Sequence, residues 1–272
     1  MPEPTRYLGR MAGKVAIVTG AGAEADEIGI GRAIAYIMAR EGAQVACIDM
    51  DFDRADVTAR QIISEGGNAI AFKADVSQPE DCEALVNAAV EKFGRLDILV
   101  NNVGISAPQS LETMTIEFWN KTIGVNLTSV MLTSKYAIPH MVRTGGGSIC
   151  NISSVAGIRA HGSLAYGTSK AGMAQLSREI GVLHGRQGIR VNTVAPGHVM
   201  TPHAFSKLPA SMRDERRKVG PMDIEGDAWD VAQAVLFVSS DEARFINGVH
   251  LAVDGGVTGI GPLTGHAFIM QP

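Results

Sequence analysis

Short apolar runs alternate with longer amphipathic ones along this chain. Residues 14–19, 44–49, 69–72, 96–101, 147–152, 189–194 and 250–253 form compact apolar stretches bounded by glycine or polar residues. Runs of this length and pattern predict strands buried on both faces. Between them apolar positions recur at helical spacing, as over residues 30–41, and predict covering helices. Strict alternation of the two predicts an α/β fold, a parallel sheet covered on both faces. Right-handed crossovers then give a doubly wound sheet with a ligand crevice at the carboxyl ends of its strands. No linker or composition break divides the chain, so residues 1–272 are expected to form one domain.

The turn after the first strand narrows the ligand. Thr19-Gly20-Ala21-Gly22 is followed, after an acidic stretch, by Ile28-Gly29-Ile30-Gly31-Arg32. Glycines there let the backbone approach a pyrophosphate, whose charge is met by amides and by the positive end of the next helix. Asp49 ends the second strand, where a carboxylate can accept hydrogen bonds from adenosine ribose hydroxyls and repel a 2′-phosphate. The expected cofactor is therefore NAD rather than NADP, and nothing basic follows Asp49 before Arg54. The alternative is that Asp49, with Asp51 and Asp53, begins a loop and caps a helix.

Tyr166 and Lys170 carry the chemistry. If the segment from Tyr166 to about Gly185 is helical, residues four apart share a face, roughly 6 Å apart along the axis. A nearby ammonium favours the phenolate and brings a phenol of ordinary pKa about 10 closer to the working range of a base. Ser154 stands twelve residues upstream.

Composition excludes other classes. A net charge of −4 without a long basic run argues against nucleic acid or an anionic membrane as the main partner. Arg213, Arg216, Arg217 and Lys218 are interleaved with Asp214 and Glu215, the pattern of a solvated helix face. Cys47, Cys82 and Cys150 are widely spaced, match no metal or redox motif, and read as buried thiols in a reducing compartment. Residues 1–10 lack the apolar core of a signal peptide and no apolar run reaches transmembrane length, so a cytoplasmic location is expected.

Several motifs in order resemble the short-chain dehydrogenase/reductase family, of classical type. They are the glycine turn, Asp75-Val76, Asn101-Asn102-Val103-Gly104, Asn126, Ile152-Ser153-Ser154, Tyr166 to Lys170, and Pro196-Gly197 followed by Thr201. The match spans roughly residues 13–256. The resemblance implies an NAD(P)-linked oxidoreductase on a seven-stranded Rossmann sheet, commonly a homotetramer. It implies that Tyr166 is the general acid/base, that Lys170 tunes the phenol and binds the nicotinamide ribose, and that Ser154 donates a hydrogen bond to the substrate oxygen. Ser153 is the rival, its spacing of thirteen to Tyr166 being the more usual, but Val155-Ala156-Gly157 aligns better if Ser154 acts. Asn126 would hold a water in a proton relay; its other reading is an asparagine bonding backbone within a kinked helix. Gly20, Gly22, Gly29, Ile30 and Gly31 would hold the pyrophosphate, and Asp75 and Val76 would flank the adenine. Asn101, Gly104 and Ile152 would line the cofactor floor, and Pro196, Gly197, Val199 and Thr201 would face the nicotinamide.

Departures from the family pattern mark this chain. Six residues separate Gly22 from Gly29 where the family has one. The insertion, residues 23–27, is expected to bulge outward, since its acids would be repelled by a pyrophosphate. Val103 replaces the commoner alanine, and Trp229 stands where proline is frequent, consistent with helix packing. The resemblance implies that substrate specificity comes from the segments after Ser154 and after Asn101-Asn102 and above all from the loop after Pro196, at about residues 198–223, with Ser106, Arg159, His161, His198, Met200, His203 and Phe205 as candidates. Three histidines and an arginine point to a polar or anionic substrate, although each has a surface-residue alternative. The tail, residues 257–272, is expected to pack on a neighbouring subunit or close the site, or else to be free. The favoured function is NAD-dependent oxidation of a secondary alcohol to a ketone. The alternatives are a 3-oxoacyl carrier protein reductase-like ketoreductase and a non-catalytic NAD(H)-binding sensor.

Overall fold

The computed structural model describes residues 9–22, 27–107, 109–202 and 209–270. Strand and helix alternate from the start: β1 (Val15–Thr19), α1 (Ile30–Arg40), β2 (Gln44–Asp49), α2 (Phe52–Ser64), β3 (Asn68–Lys73), α3 (Pro79–Phe93) and β4 (Ile98–Asn101). Then α4 (Ile116–Ile123) runs through a π turn, Gly124–Thr128, into α5 (Ser129–Arg143), followed by β5 (Gly147–Ile152), α6 (Leu164–His184) and β6 (Ile189–Pro196). After short β7 (Val199–Met200) come α7 (Ala210–Lys218), β8 (Gly226–Asp227), α8 (Ala228–Ser239), β9 (His250–Val253) and α9 (Pro262–Ile269).

Seven strands form one sheet in the order β3-β2-β1-β4-β5-β6-β9, and every pairing in it is parallel. The order reverses between β1 and β4, so the connections leaving their carboxyl ends diverge and open a crevice. All five residues of β1 are buried, because both faces of the sheet are covered. Ala16 and Val18 pack with Ile34 and Met38 of α1 and Leu236 of α8. Val15 and Ile17, on the opposite face, pack with Leu85, Ile138 and Ile180 of α3, α5 and α6. This is the period-2 alternation of a strand written in residues that are apolar at every position.

Helix ends follow local chemistry. Asp51 caps α2 by accepting from the amides of Asp53 and Arg54, and Asp227 and Asp230 form a reciprocal capping box at α8. Boundaries shift from the sequence pattern by one residue at β1 and β3 and by two at β4 and β6. The strand expected from residue 96 starts at Ile98, because Asp97 turns its carboxylate onto the Val15 amide at 2.9 Å. β6 continues to Pro196, where it still pairs with Val253 of β9. Trp229 stacks on Tyr36 at 6.4 Å between ring centroids and ties α8 to α1. In the tail α9 packs on the end of α7, with Gly265 close to Val219. Among the described residues no helix is long and apolar enough to cross a membrane.

Candidate active site

A cleft of ≈ 590 Å³ opens at the carboxyl ends of β1, β4, β5 and β6. Its glycine wall is shaped by contact. A Cβ on Gly31 would stand 2.0 Å from the Gly20 carbonyl oxygen, so only glycine lets α1 approach the turn this closely. The Asn102 amide donates to the carbonyls of Thr19 and Gly20, at 3.1 Å each, and fixes the turn against β4. The N-cap of α1, Gly29, has no side-chain cap and nothing within 4 Å of where a Cβ would be. An open helix N-terminus beside a tight glycine turn is an anion cradle. Asp49 lies behind the turn and outside the cavity lining, with Oδ2 accepting from the Gly22 amide at 3.1 Å and Oδ1 from the Asp51 amide at 3.1 Å.

Opposite this wall stand the groups with proton chemistry. Lys170 is buried, and its Nζ donates to the Ile152 carbonyl at 2.6 Å. Its ammonium lies 5.7 Å from the centre of the Tyr166 ring. Ser154 Oγ accepts from the Ala156 amide at 3.1 Å and lines the cleft with Tyr166, whose phenol it pulls down. Ser153 is buried, its hydroxyl donating to the Lys170 carbonyl at 3.0 Å. Of the rival serines, Ser153 has its hydroxyl committed to main chain, and Ser154 is the one whose hydroxyl acts on the phenol. A Cβ on Gly157 would lie 2.7 Å from the Lys170 carbonyl carbon, so glycine there lets the turn carrying Ser154 sit directly on α6.

Burial pushes the Tyr166 phenol above its ordinary value, with the Ser154 hydrogen bond pulling it back down. Burial takes Lys170 down to about 7. The spacing argument expected the lysine to lower the phenol; here loss of hydration dominates both groups, raising the phenol and lowering the ammonium.

Asn126 sits in the π turn between α4 and α5, fully buried. Its Oδ1 accepts from the Ile105 amide at 2.8 Å, and its Nδ2 donates to the Ile105 carbonyl and to Ser169, both at 3.0 Å. The side chain therefore bonds backbone within an irregular helix, and it pins the loop after β4 to α6.

Gly20, Gly22, Gly29, Ile30, Gly31, Gly104, Ile152, Pro196, Gly197, Val199 and Thr201 line the cleft, as does Ser106. Others do not. Asn101 faces inward, bonded to Asn151 and Thr133 at 2.8 Å each; strand alternation turns its neighbour Asn102 to the turn instead. Asp75 accepts from the amide and hydroxyl of Ser77, and Val76 is buried; both lie outside the cavity lining. Arg159 and His161 line a separate hollow behind Tyr166, and His198 lines a third beside α7. His203 and Phe205 lie outside the described residues, as do residues 23–26 of the insertion. Its last residue, Glu27, lines the cleft rather than pointing away from it. Asn102, Arg54, Ser153 and Pro202 also line it. The signal for Asn102 was its place in the Asn-Asn-x-Gly motif; Arg54 gave no signal beyond its position after Asp49.

A family model described as enoyl-(acyl carrier protein) reductase matches residues 22–258. The chain is 41% identical to the crystal structure of a protein assigned to the short-chain dehydrogenases/reductases from Burkholderia xenovorans, with a TM-score of 0.88 over 93% of this chain and 99% of that one. It belongs to the short-chain dehydrogenase/reductase family. Within that family it is 39% identical to cis-4-hydroxycyclohexanecarboxylate dehydrogenase of Sinomonas cyclohexanicum, covering 92% of this chain and 98% of the relative. It is also 34% identical, with a TM-score of 0.86, to a 7α-hydroxysteroid dehydrogenase solved with NADH and 7-oxo-glycochenodeoxycholic acid, over 91% of this chain and 95% of that one. As a member of the family the chain is an oxidoreductase using a nicotinamide cofactor, and its glycine cradle fits a dinucleotide pyrophosphate: the turn is too tight for any side chain at Gly31 and open at Gly29.

Proposed function

We propose that this protein is an NAD-dependent dehydrogenase that oxidises a secondary alcohol to a ketone, reversibly, with Tyr166 as acid/base. The observation that carries the reading is the grouping of Tyr166, Ser154 and Lys170 in one cleft with an anion cradle. NAD, when bound, supplies the hydride acceptor. Ser154 Oγ holds the substrate oxygen and favours negative charge developing there. Tyr166 Oη takes the alcohol proton on oxidation and returns it on reduction. Lys170 is anchored by the Ile152 carbonyl beside the phenol and binds the nicotinamide ribose hydroxyls. Asn126 holds the Ile105 loop against Ser169, one residue before Lys170, and so positions the lysine.

Asp49 supports NAD over NADP, with its carboxylate fixed at the Gly22 amide. Arg54 supplies the reason to test that preference, since it lines the same end of the cleft while lying 3.5 Å from Asp51. The ring alcohols and ketone named for the relatives extend the proposal to a cyclic secondary alcohol. We further take residues 1–272 as one catalytic domain, working as a cytoplasmic homotetramer.

The test is reduced-cofactor formation from NAD and from NADP over a panel of neutral, acidic and cyclic secondary alcohols, with Tyr166→Phe in parallel. Turnover with NAD should fall by roughly 10²–10⁴-fold in the variant while NADH affinity is nearly kept. Near wild-type turnover in Tyr166→Phe would sink the acid/base role, and a preference for NADP would sink the cofactor assignment.

A further inference from the structure

We propose that Arg159, His161, His198 and Arg216 form a recognition site for a carboxylate carried by the alcohol substrate. This rests on the dehydrogenase reading above. Arg159 and His161 follow the turn Val155–Gly157, directly after Ser154, and His198 follows the end of β6, one residue before the cleft-lining Val199. The two segments therefore leave the strand ends that frame the reaction centre, and they meet: the rings of His161 and His198 stand edge to face, 6.4 Å between centroids. Arg216 comes up from α7, its carbonyl oxygen 3.4 Å from His198 Nδ1. Its Nε is enclosed and has no hydrogen-bond partner among the described residues.

Charge at this rim is not balanced. On α7 the other bases are matched, Arg213 with Glu225, Arg217 with Asp214 and Asp223, and Lys218 with Asp214. Among the described residues Arg159 and Arg216 make no ion pair, and residues 203–208 contain no acid. The acid whose field Arg159 feels is Asp254. That carboxylate already accepts from the Gly256 amide and from the amide and hydroxyl of Thr258. Arg216 in turn feels Glu225, which is already bound by Arg213, so each of the two guanidinium groups faces only a carboxylate committed elsewhere.

A guanidinium left with free N–H groups at a half-buried surface matches a carboxylate by geometry as well as charge. Burial and the neighbouring Arg216 hold His198 below its ordinary value, so it meets such a ligand as a neutral hydrogen-bonding ring. Around these groups two hollows, ≈ 590 and ≈ 350 Å³, have apolar walls at Leu111, Ile158, Leu164 and Met222, and the smaller also carries Asp223, Asp230 and Asp254, engaged by Arg217, the Asp227 amide and Thr258 respectively. Hydrocarbon walls with a convergent cationic edge suit a compact apolar acid.

The experiment compares kcat/KM with NAD for a hydroxycyclohexanecarboxylate and its methyl ester, in wild type, Arg159→Gln, Arg216→Gln and, as control, Lys92→Gln on exposed α3. Alongside it, the melting temperature is measured with and without cyclohexanecarboxylate, which has no alcohol to oxidise. Wild type should prefer the acid by about tenfold or more, and each arginine variant should lose about tenfold of that preference, mainly through KM. The control should keep it. Cyclohexanecarboxylate should raise the melting temperature of wild type and not of Arg159→Gln. Equal use of acid and ester by wild type, or a preference unchanged in both arginine variants, would overturn the site. If neither alcohol is oxidised but the acid-dependent shift is present and lost in Arg159→Gln, the dehydrogenase reading fails and the anion site stands. No shift in wild type overturns the anion site whatever the turnover.

Discussion

On the floor of the cleft Lys170 and Asn126 are buried and Asn102 is half-buried, and each is tied to main-chain atoms, at Ile152, Ile105 and Gly20 respectively. On the rim His161 is exposed, Arg159 and Arg216 are half-buried, and Arg216 has an enclosed donor with no acceptor among the described residues. The floor satisfies its own polar groups because it cannot rely on water, and that requirement fixes residue type and spacing. The rim carries no such obligation, so its residues are free to answer to a ligand.

The sharpest way to break the contrast is at the glycine turn. Gly31→Ala forces a Cβ against the Gly20 carbonyl and is expected to cost about 1–3 kcal/mol of stability, with NADH binding largely lost; calorimetry and fluorescence titration measure both. A variant that binds NADH normally would show that the wall yields.

The buried lysine makes the floor pH-sensitive. Its folded pKa of about 7 lies below the unfolded value of 10.5, so between these the unfolded chain binds more protons and stability rises with pH. Cys47, Cys82 and Cys150 have the opposite sign: burial pushes each up to about 12 from 9.0, so above pH 9 the unfolded chain loses protons first and stability falls. The cofactor-free protein should therefore gain on the order of 2 kcal/mol from pH 7 to 9 and then lose it. Lys170→Met should flatten the rise, as chemical denaturation at each pH would reveal.

Asn102→Ala removes two hydrogen bonds that hold the turn. NADH affinity is expected to drop by about 5–30-fold, equivalent to about 1–2 kcal/mol, without a matching change in KM for the alcohol. The smallest effect belongs to the rim: a chain ending at Ile260, lacking α9, should keep NADH affinity within about twofold and change mainly the alcohol KM. An equal loss of both would join floor and rim into one unit.

How much of this was legible in the sequence follows the same division. The seven strands were written as apolar runs, and the cradle as glycines after the first of them, because burial on two faces leaves little choice of residue. Tyr166 and Lys170 were legible because helical spacing places them together. The facing of Asn101 and Asn102 was not, since neighbouring asparagines at a strand end differ only in which way the pleat turns them. Nor was the inward turn of Arg216, which composition grouped with the solvated bases of its helix. The pKa order of the floor was hidden too, for it depends on how deeply the pair is buried rather than on the distance between its members.

The bond from Lys170 to the Ile152 carbonyl has a consequence for tracing descent. A descendant that gave up chemistry and kept only nucleotide binding would still need a donor for that buried oxygen, so purifying selection on folding alone would preserve the lysine. Among the described residues Tyr166 has no such main-chain partner for its hydroxyl. When relatives of this protein are sorted into working and retired enzymes, the presence of the lysine is therefore uninformative, and loss of the tyrosine is the mark to look for.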